Sequence, residues 1–520
     1  MQEVNDQDSE HPKQRRIWIT ALLILFVVGL ACGTLALLLL FTTDTPQIPT
    51  AVARVGIILP TPEQEEQPVD GYTPEAVPTD PPSLSPQAGG RSAGDPYMPE
   101  LGNTGYDVQH YTLRLALNPA DDFVQGATTI QALSTLSGLS EITVDFAGFE
   151  VGAVTVDGIA ANFARDGHKL IIALPELKGI DAPFSVVVSY HGRPVNEPSA
   201  YLHFIDHLGL YYPDGQTIFA IAEPDGARYW FPANDHPRDK ATFRFEVVVP
   251  AGLTAVANGQ LLNNQPAALP GGETGELFTW EHNHAMAPYL AFVGVGAYER
   301  IDDMSPDGII LRHYSFPELR DELVEATVEV GDAIDWMAEL FGPYPFERFG
   351  YVTAHVPGGS LETQTLVLLS SGMIGKRTAI HELAHMWFGD WVSLESWEEM
   401  WRNEGFATYV QLMWETNDDP EEMALRIASL QSVVEGNQKS YPLNHPPPEY
   451  LFELNIYFKG ALAVHALREE MGDNAFFGGL RLYIQRFGGT TASDADFREV
   501  MEEAAGRSLE TYFNEWFPPI

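Results

Sequence analysis

The run His381-Glu382-Leu383-Ala384-His385, followed after eighteen residues by Glu404, most limits what this chain can fold into. On a helix, positions i and i+4 lie within about 40° of each other around the axis, so the two imidazoles share one side. Ile380, Leu383, Ala384, Trp387 and Phe388 recur at i, i+3, i+4, i+7 and i+8, giving that helix a buried stripe beside the histidines, with Gly389 as its stop. Ser396 and Glu399 form a capping-box pair opening a second helix, expected over residues 397–415 and carrying Glu404. Two such helices set face to face can supply two imidazoles and one carboxylate. His381, His385 and Glu404 then supply three ligands to a tetrahedral Zn2+ ion, one per chain, leaving the fourth position for water as a catalytic site requires. Glu382 stands beside the metal, free to act as a base.

The 520 residues carry 72 acidic and 29 basic side chains, a formal charge of −43 that repels phosphates and argues against a nucleic-acid partner. With 45% hydrophobic residues the chain can bury two or more cores. Residues 17–41 carry no charge, and a helix of that length spans about 37 Å against about 30 Å of bilayer hydrocarbon. Lys13, Arg15 and Arg16 precede this stretch and the next basic residue is Arg54. A single-pass anchor in the cell membrane is therefore expected, with residues 1–16 a cytoplasmic tail and the chain from Thr42 onward outside. Rival readings are a signal peptide cleaved near Ala51 and Ala53, for which the apolar run is long, and lipidation at Cys32, past which that run continues. Cys32 is the only cysteine, so an outer metal must be held by nitrogen and oxygen. Residues 42–99, rich in proline, read as a semi-extended, disordered stalk.

Beyond the stalk the period becomes that of strands, expected over residues 110–117, 141–146, 169–174, 184–190, 243–249 and 289–295. One antiparallel β domain over residues 100–301 is the expectation. A helical pattern over residues 319–341 and a strand over 351–356 then lead to the zinc helices, making residues 302–520 a catalytic domain and the whole an α+β protein.

Two motifs carry a resemblance. The run from His381 to Asp390, with Trp401-Arg402-Asn403-Glu404-Gly405-Phe406-Ala407-Thr408-Tyr409, resembles the zinc signature of the gluzincin aminopeptidases, the family of aminopeptidase N and leukotriene hydrolase. The likeness extends from about residue 102 to the end and includes Phe341-Gly342-Pro343-Tyr344-Pro345-Phe346 and Glu223-Pro224-Asp225-Gly226-Ala227-Arg228. It implies a saddle-like N-terminal β domain followed by a thermolysin-like metallopeptidase domain. Gly359-Ser360-Leu361-Glu362-Thr363 matches the family's exopeptidase motif, with Leu361 and Thr363 standing where Met and Asn are usual. Glu362, Gly359 and Glu223 are thereby implicated in binding substrate, the two carboxylates by holding a free ammonium. Tyr457, in Tyr457-Phe458-Lys459-Gly460, matches the tyrosine whose hydroxyl donates to the tetrahedral intermediate.

The resemblance implies an enzyme hydrolysing the N-terminal peptide bond of peptides with a free amino terminus. About 60 residues follow Tyr457, and a short member of the family is expected, lacking the usual C-terminal helical domain and with a more open site that takes longer peptides. Alternatives are a zinc endopeptidase, which would not need Glu223 and Glu362, and a non-catalytic peptide-binding scaffold, which would be expected to have lost a ligand or the base. An epoxide hydrolase is disfavoured for an anchored, outward-facing chain.

Overall fold

Strict alternation builds the first lobe. In Ala241–Pro250 the side chains of Ala241, Phe243, Phe245, Val247 and Val249 are buried while those between are half-buried. Pro183–Gly192 repeats the pattern with Phe184, Val186, Val188 and Tyr190. Both lie in an eight-stranded sheet ordered Gln260–Ala268, Thr274–Met286, Ala241–Pro250, Tyr106–Asn118, Asp121–Ser134, Pro183–Gly192, Glu150–Val156, Ile159–Ala160. At Gly126 an added Cβ would lie 2.5 Å from the Tyr190 ring, so only glycine lets that ring cross the neighbouring strand. In this computed structural model residues 84–518 are described, except 196, 203, 204, 206, 357, 418 and 438–440. The expected tail, the apolar stretch 17–41 and the stalk as far as residue 83 lie outside the described residues. Among those described, no helix is long and apolar enough to cross a membrane.

Three expectations for residues 42–301 are corrected. The β lobe is mixed rather than antiparallel: Tyr106–Asn118 and Ala241–Pro250 run parallel, with Tyr111 opposite Phe243 and Leu113 opposite Phe245. Such strands are joined by a long crossover, so no local turn signal announces their direction. Residues 289–295 hold a 3₁₀ turn, Pro288–Leu290, and only then a strand, Val293–Gly296. The stalk, read to residue 99, ends earlier, because residues 84–99 are packed into the fold. Gln87–Ala88 pairs with Leu139–Asp145, Met98 is buried, and the Asp95 carboxylate accepts from the N–H groups of Tyr97, Met98 and Trp397. Composition registers how few apolar residues this segment has, not the backbone hydrogen bonds that order it.

The second lobe begins with a mixed sheet containing Glu299–Met304, Ile310–Ser315, Tyr351–Ala354 and Val367–Ser370, so the boundary placed at residue 301 falls within its first strand. Its helices are α1 (Arg320–Thr327), α2 (Val330–Phe341), α3 (Lys376–Ala384), α4 (Trp401–Thr416), α5 (Pro420–Gly436), α6 (Leu454–Met471), α7 (Asp473–Phe487), α8 (Asp494–Ala505) and α9 (Glu510–Trp516). The pattern over 319–341 is thus two helices. α4 is buried nearly all round and forms the axis of the lobe. The buried Arg402 guanidinium fixes its first turn, donating to Glu399, Asp494, the Tyr483 hydroxyl and the Ala492 carbonyl at 2.5–2.8 Å.

Candidate metal centre and substrate cleft

α3 carries His381, His385 caps its end, and α4 carries Glu404 in its first turn. The Ser396 N–H donates to Glu399 at 3.3 Å, the carboxylate half of the expected capping box, ahead of a 3₁₀ turn at Trp397–Glu399 that runs into α4. The two faces meet: His381 Nε2 lies 3.2 Å from Glu404 Oε2, His385 Nε2 lies 3.4 Å from His381 Nε2, and His385 Nε2 lies 3.6 Å from Glu404 Oε2. Bonds of about 2.0–2.1 Å at tetrahedral angles set ligand atoms about 3.3 Å apart, so this triangle fits a zinc ion. His385 Nδ1 faces the Phe388 carbonyl at 3.2 Å. A carbonyl can only accept, so Nδ1 carries the proton and Nε2 turns its lone pair toward the shared position.

The surroundings are strongly acidic. Glu223, Glu362, Glu382 and Glu404 are all buried around this point. Burial, followed by repulsion from Glu362, lifts Glu223 well above the carboxylate range. Burial also raises Glu382 well above that range, with His385 opposing and Glu362 and Glu404 adding, and it raises Glu362 against the pull of His385. Burial would raise Glu404 too, but His385 and His381 outweigh it and hold the group at about 2. Burial disfavours positive charge on His385, yet Glu362 and Glu404 push it up to about 10, so that without a metal Nε2 holds a proton, and a bound metal ion would take that proton's place. Carboxyl groups crowded this closely and shielded from water gain by a positive charge placed among them. Oε1 of Glu223 and Oε1 of Glu362 are buried without a hydrogen-bond partner among the described residues, two acceptors suited to a charged donor.

Tyr457 stands in the first turn of α6 with its ring stacked on His381, centroids 6.0 Å apart. Burial and then Glu404 and Glu223 raise its hydroxyl well above the ordinary value, which keeps it a donor. Its place depends on two glycines: a Cβ on Gly405 of α4 or on Gly460 of α6 would lie 2.9 Å from the other's Cα, so the helices cross in backbone contact. Gly359 lines the same cavity as Glu362, Glu223, Glu382 and Tyr457. Every site residue expected from the sequence is therefore brought to one cleft.

Residues 107–290 match the Peptidase M1 N-terminal domain and residues 369–516 the Peptidase family M1 domain. The chain belongs to peptidase family M1. Aminopeptidase N of Streptomyces lividans is 28% identical over 445 residues, covering 79% of this chain and 50% of that protein. Aminopeptidase M1 of Arabidopsis thaliana is 27% identical, covering 56% of this chain and 36% of that protein. The chain thus spans about half or less of the length of these relatives. The M1 zinc metallopeptidase from Deinococcus radiodurans superposes with a TM-score of 0.76 at 29% identity, covering 82% of this chain and 97% of that one. A mutant of that enzyme bound to a Tyr-Ser-Ala substrate matches equally well, at a TM-score of 0.76.

Several residues of the cleft carry no motif. Tyr201 and Leu202 reach it from the β lobe and Gln411 from α4, which also presents Thr408 of the zinc signature. Thr408 and Gln411 continue the Glu404 stripe at i+4 and i+7, and Gln411 could have been found by extending it. Buried Asn258 could not: its amide donates to the carbonyls of Gln364 at 2.7 Å and Leu290 at 3.0 Å, tying the loop after Glu362 to the β lobe. The next residue, Thr365, has φ +67° and its hydroxyl accepts from the Gly259 N–H at 2.9 Å, which holds this uncommon backbone in place.

Proposed function

We propose that the protein is a zinc aminopeptidase that removes the first residue of peptides with a free amino terminus. One observation carries the reading: a ligand triangle sized for zinc shares a cavity with two buried, unpartnered carboxylate oxygens. Zinc held by His381, His385 and Glu404 would supply a Lewis acid that polarises the scissile carbonyl and acidifies water. Glu382, its basicity raised by burial and neighbouring carboxylates, takes the proton of the attacking water and returns it to the leaving amine. The Tyr457 hydroxyl donates to the carbonyl oxygen as charge develops there. Glu223 and Glu362 accept from the substrate ammonium and, with Gly359 beside them, hold the first peptide bond in register with Glu382.

The test uses the full chain on a peptide with a free amino terminus and on its N-acetylated twin, each with and without a zinc chelator. Chelator-sensitive release of the first residue from the free peptide alone is expected. Internal cleavage of both peptides would make the protein an endopeptidase, and zinc binding with no cleavage of either would make it a peptide-binding scaffold.

We further infer that residues 17–41 anchor the chain in the cell membrane with residues 1–16 in the cytoplasm and the peptidase outside, from the uncharged run and the basic residues that precede it. Full-length protein should stay with membranes through an alkaline carbonate wash; release into the supernatant would overturn this.

A further inference from the structure

A single cavity of about 920 Å³ holds the metal-binding residues and continues well past them. Its direction can be read along the helices. Glu362 lies 3.9 Å from His385, His381 is one turn nearer the start of α3, and Thr378 and Arg377 line the cavity a further turn on. Along α4 the lining residues Thr408, Gln411 and Leu412 lead away from Glu404. From Glu404 to Leu412 the helix rises about 12 Å, the length of about three extended residues. A peptide whose amine sits at Glu223 and Glu362 therefore sends the residues after its scissile bond toward this far end.

The wall there is apolar. α5 presents Arg426, Ser429, Leu430 and Val433 to the cavity at i, i+3, i+4 and i+7, yet buries only Ile427 in the protein itself. Met373, Val433 and Leu454, from three separate elements, line the cavity while remaining 45%, 43% and 54% exposed. Large aliphatic side chains left in water around one opening mark a contact surface. The two cations nearby are already paired: Arg377 donates to Glu415 at 2.8 and 3.1 Å, and Arg426 to Glu422 at 3.1 Å. Both cations are thus satisfied within the protein, Glu453 is the acid that lines the cavity beside Leu454, and the remaining side chains of the α5 wall offer a ligand apolar contact.

We infer that Met373, Leu412, Leu430, Val433 and Leu454 form an apolar subsite for the residues following the scissile bond, so that the enzyme prefers peptides with large apolar side chains at the second and third positions. The inference rests on the aminopeptidase reading above.

The test compares Ala-Leu-Leu with Ala-Gly-Gly on the full-length zinc enzyme, measuring release of alanine and taking the ratio of the two kcat/KM values. A ratio of about ten or more is expected. Val433→Asp, at a position exposed enough to leave folding intact, should lower the ratio about tenfold, whereas Leu425→Asp, on the same helix and outside the cavity, should leave it as it is. Alanine release with a ratio near one, or a ratio unmoved by Val433→Asp, would overturn the subsite while leaving the aminopeptidase reading intact. Absence of alanine release from either peptide, or cleavage only at internal bonds, would overturn that reading instead.

Discussion

The two ends of the cleft are built by opposite means. At the end near His385, four buried glutamates crowd around two imidazoles; Glu404 pairs with both histidines, while one oxygen each of Glu223 and Glu362 has no hydrogen-bond partner among the described residues. At the far end both cations are paired within the protein and aliphatic side chains are left in water. A buried carboxylate without a partner costs more than an exposed leucine, so the acid end requires rigid support and the apolar end does not. Support is what the structure shows there: helices crossing at Gly405 and Gly460, Arg402 clamping α4, and Asn258 holding the loop behind Glu362. The far wall is α5, which buries a single residue.

Substitutions at the two ends should therefore fail differently. The largest effect is expected at Glu382→Gln, which should keep zinc and lose about 10² to 10⁴ in kcat, as removal of a positioned general base does. Metal content by elemental analysis and turnover by chromatography check it, and normal turnover in the zinc-loaded variant would remove the proposed base. Glu362→Gln should cost about 10- to 100-fold, the worth of a hydrogen bond to a charged group, chiefly as a raised KM for free-amine peptides. Its ratio for Ala-Leu-Leu over Ala-Gly-Gly should stay at the wild-type value. A shift in that ratio would mean that the two ends are coupled.

The smallest effect is on stability and concerns the scaffold of the acid end. Asp95, buried and bonded to the N–H of Trp397 just before α4, would be raised by burial, but His236 and three backbone N–H groups hold it at about 2. A depressed carboxylate stabilises the fold above its unfolded value and loses that contribution as pH falls through its folded value. From 3.8 to about 2 is a shift worth about 2 kcal/mol. Asp95→Asn should thus lower stability by about that amount at pH 7, with the gap from wild type closing between about pH 4 and pH 2. Urea melts at several pH values measure it, and a gap independent of pH would show that the ionised form is not what matters.

Legibility follows the same division. His381, Glu382 and His385 were readable because one helix fixes their spacing, and Glu404 because a cap announces the second helix. Gly359, Glu362, Glu223 and Tyr457 came from motif likeness, since a glutamate or tyrosine alone carries no signal of its surroundings. Asp121–Ser134 and Thr274–Met286 were missed as strands, being rich in Thr, Gln, Glu and His and poor in large apolar residues. α5 was missed because its apolar residues serve the cleft rather than a core.

What the sequence determined by itself is local: the ligand spacing, the two metal helices, the alternation of the β lobe and the acidic balance, each set by neighbours within one or two turns or along one strand. What only the tertiary structure decided is every meeting between distant segments. The parallel pairing of Tyr106–Asn118 with Ala241–Pro250, the approach of Glu223 to Glu362, the packing of residues 84–99 and the apolar wall across from the metal all belong here. Such contacts are selected by the burial and hydrogen bonding of the whole fold, and no period along the chain encodes them.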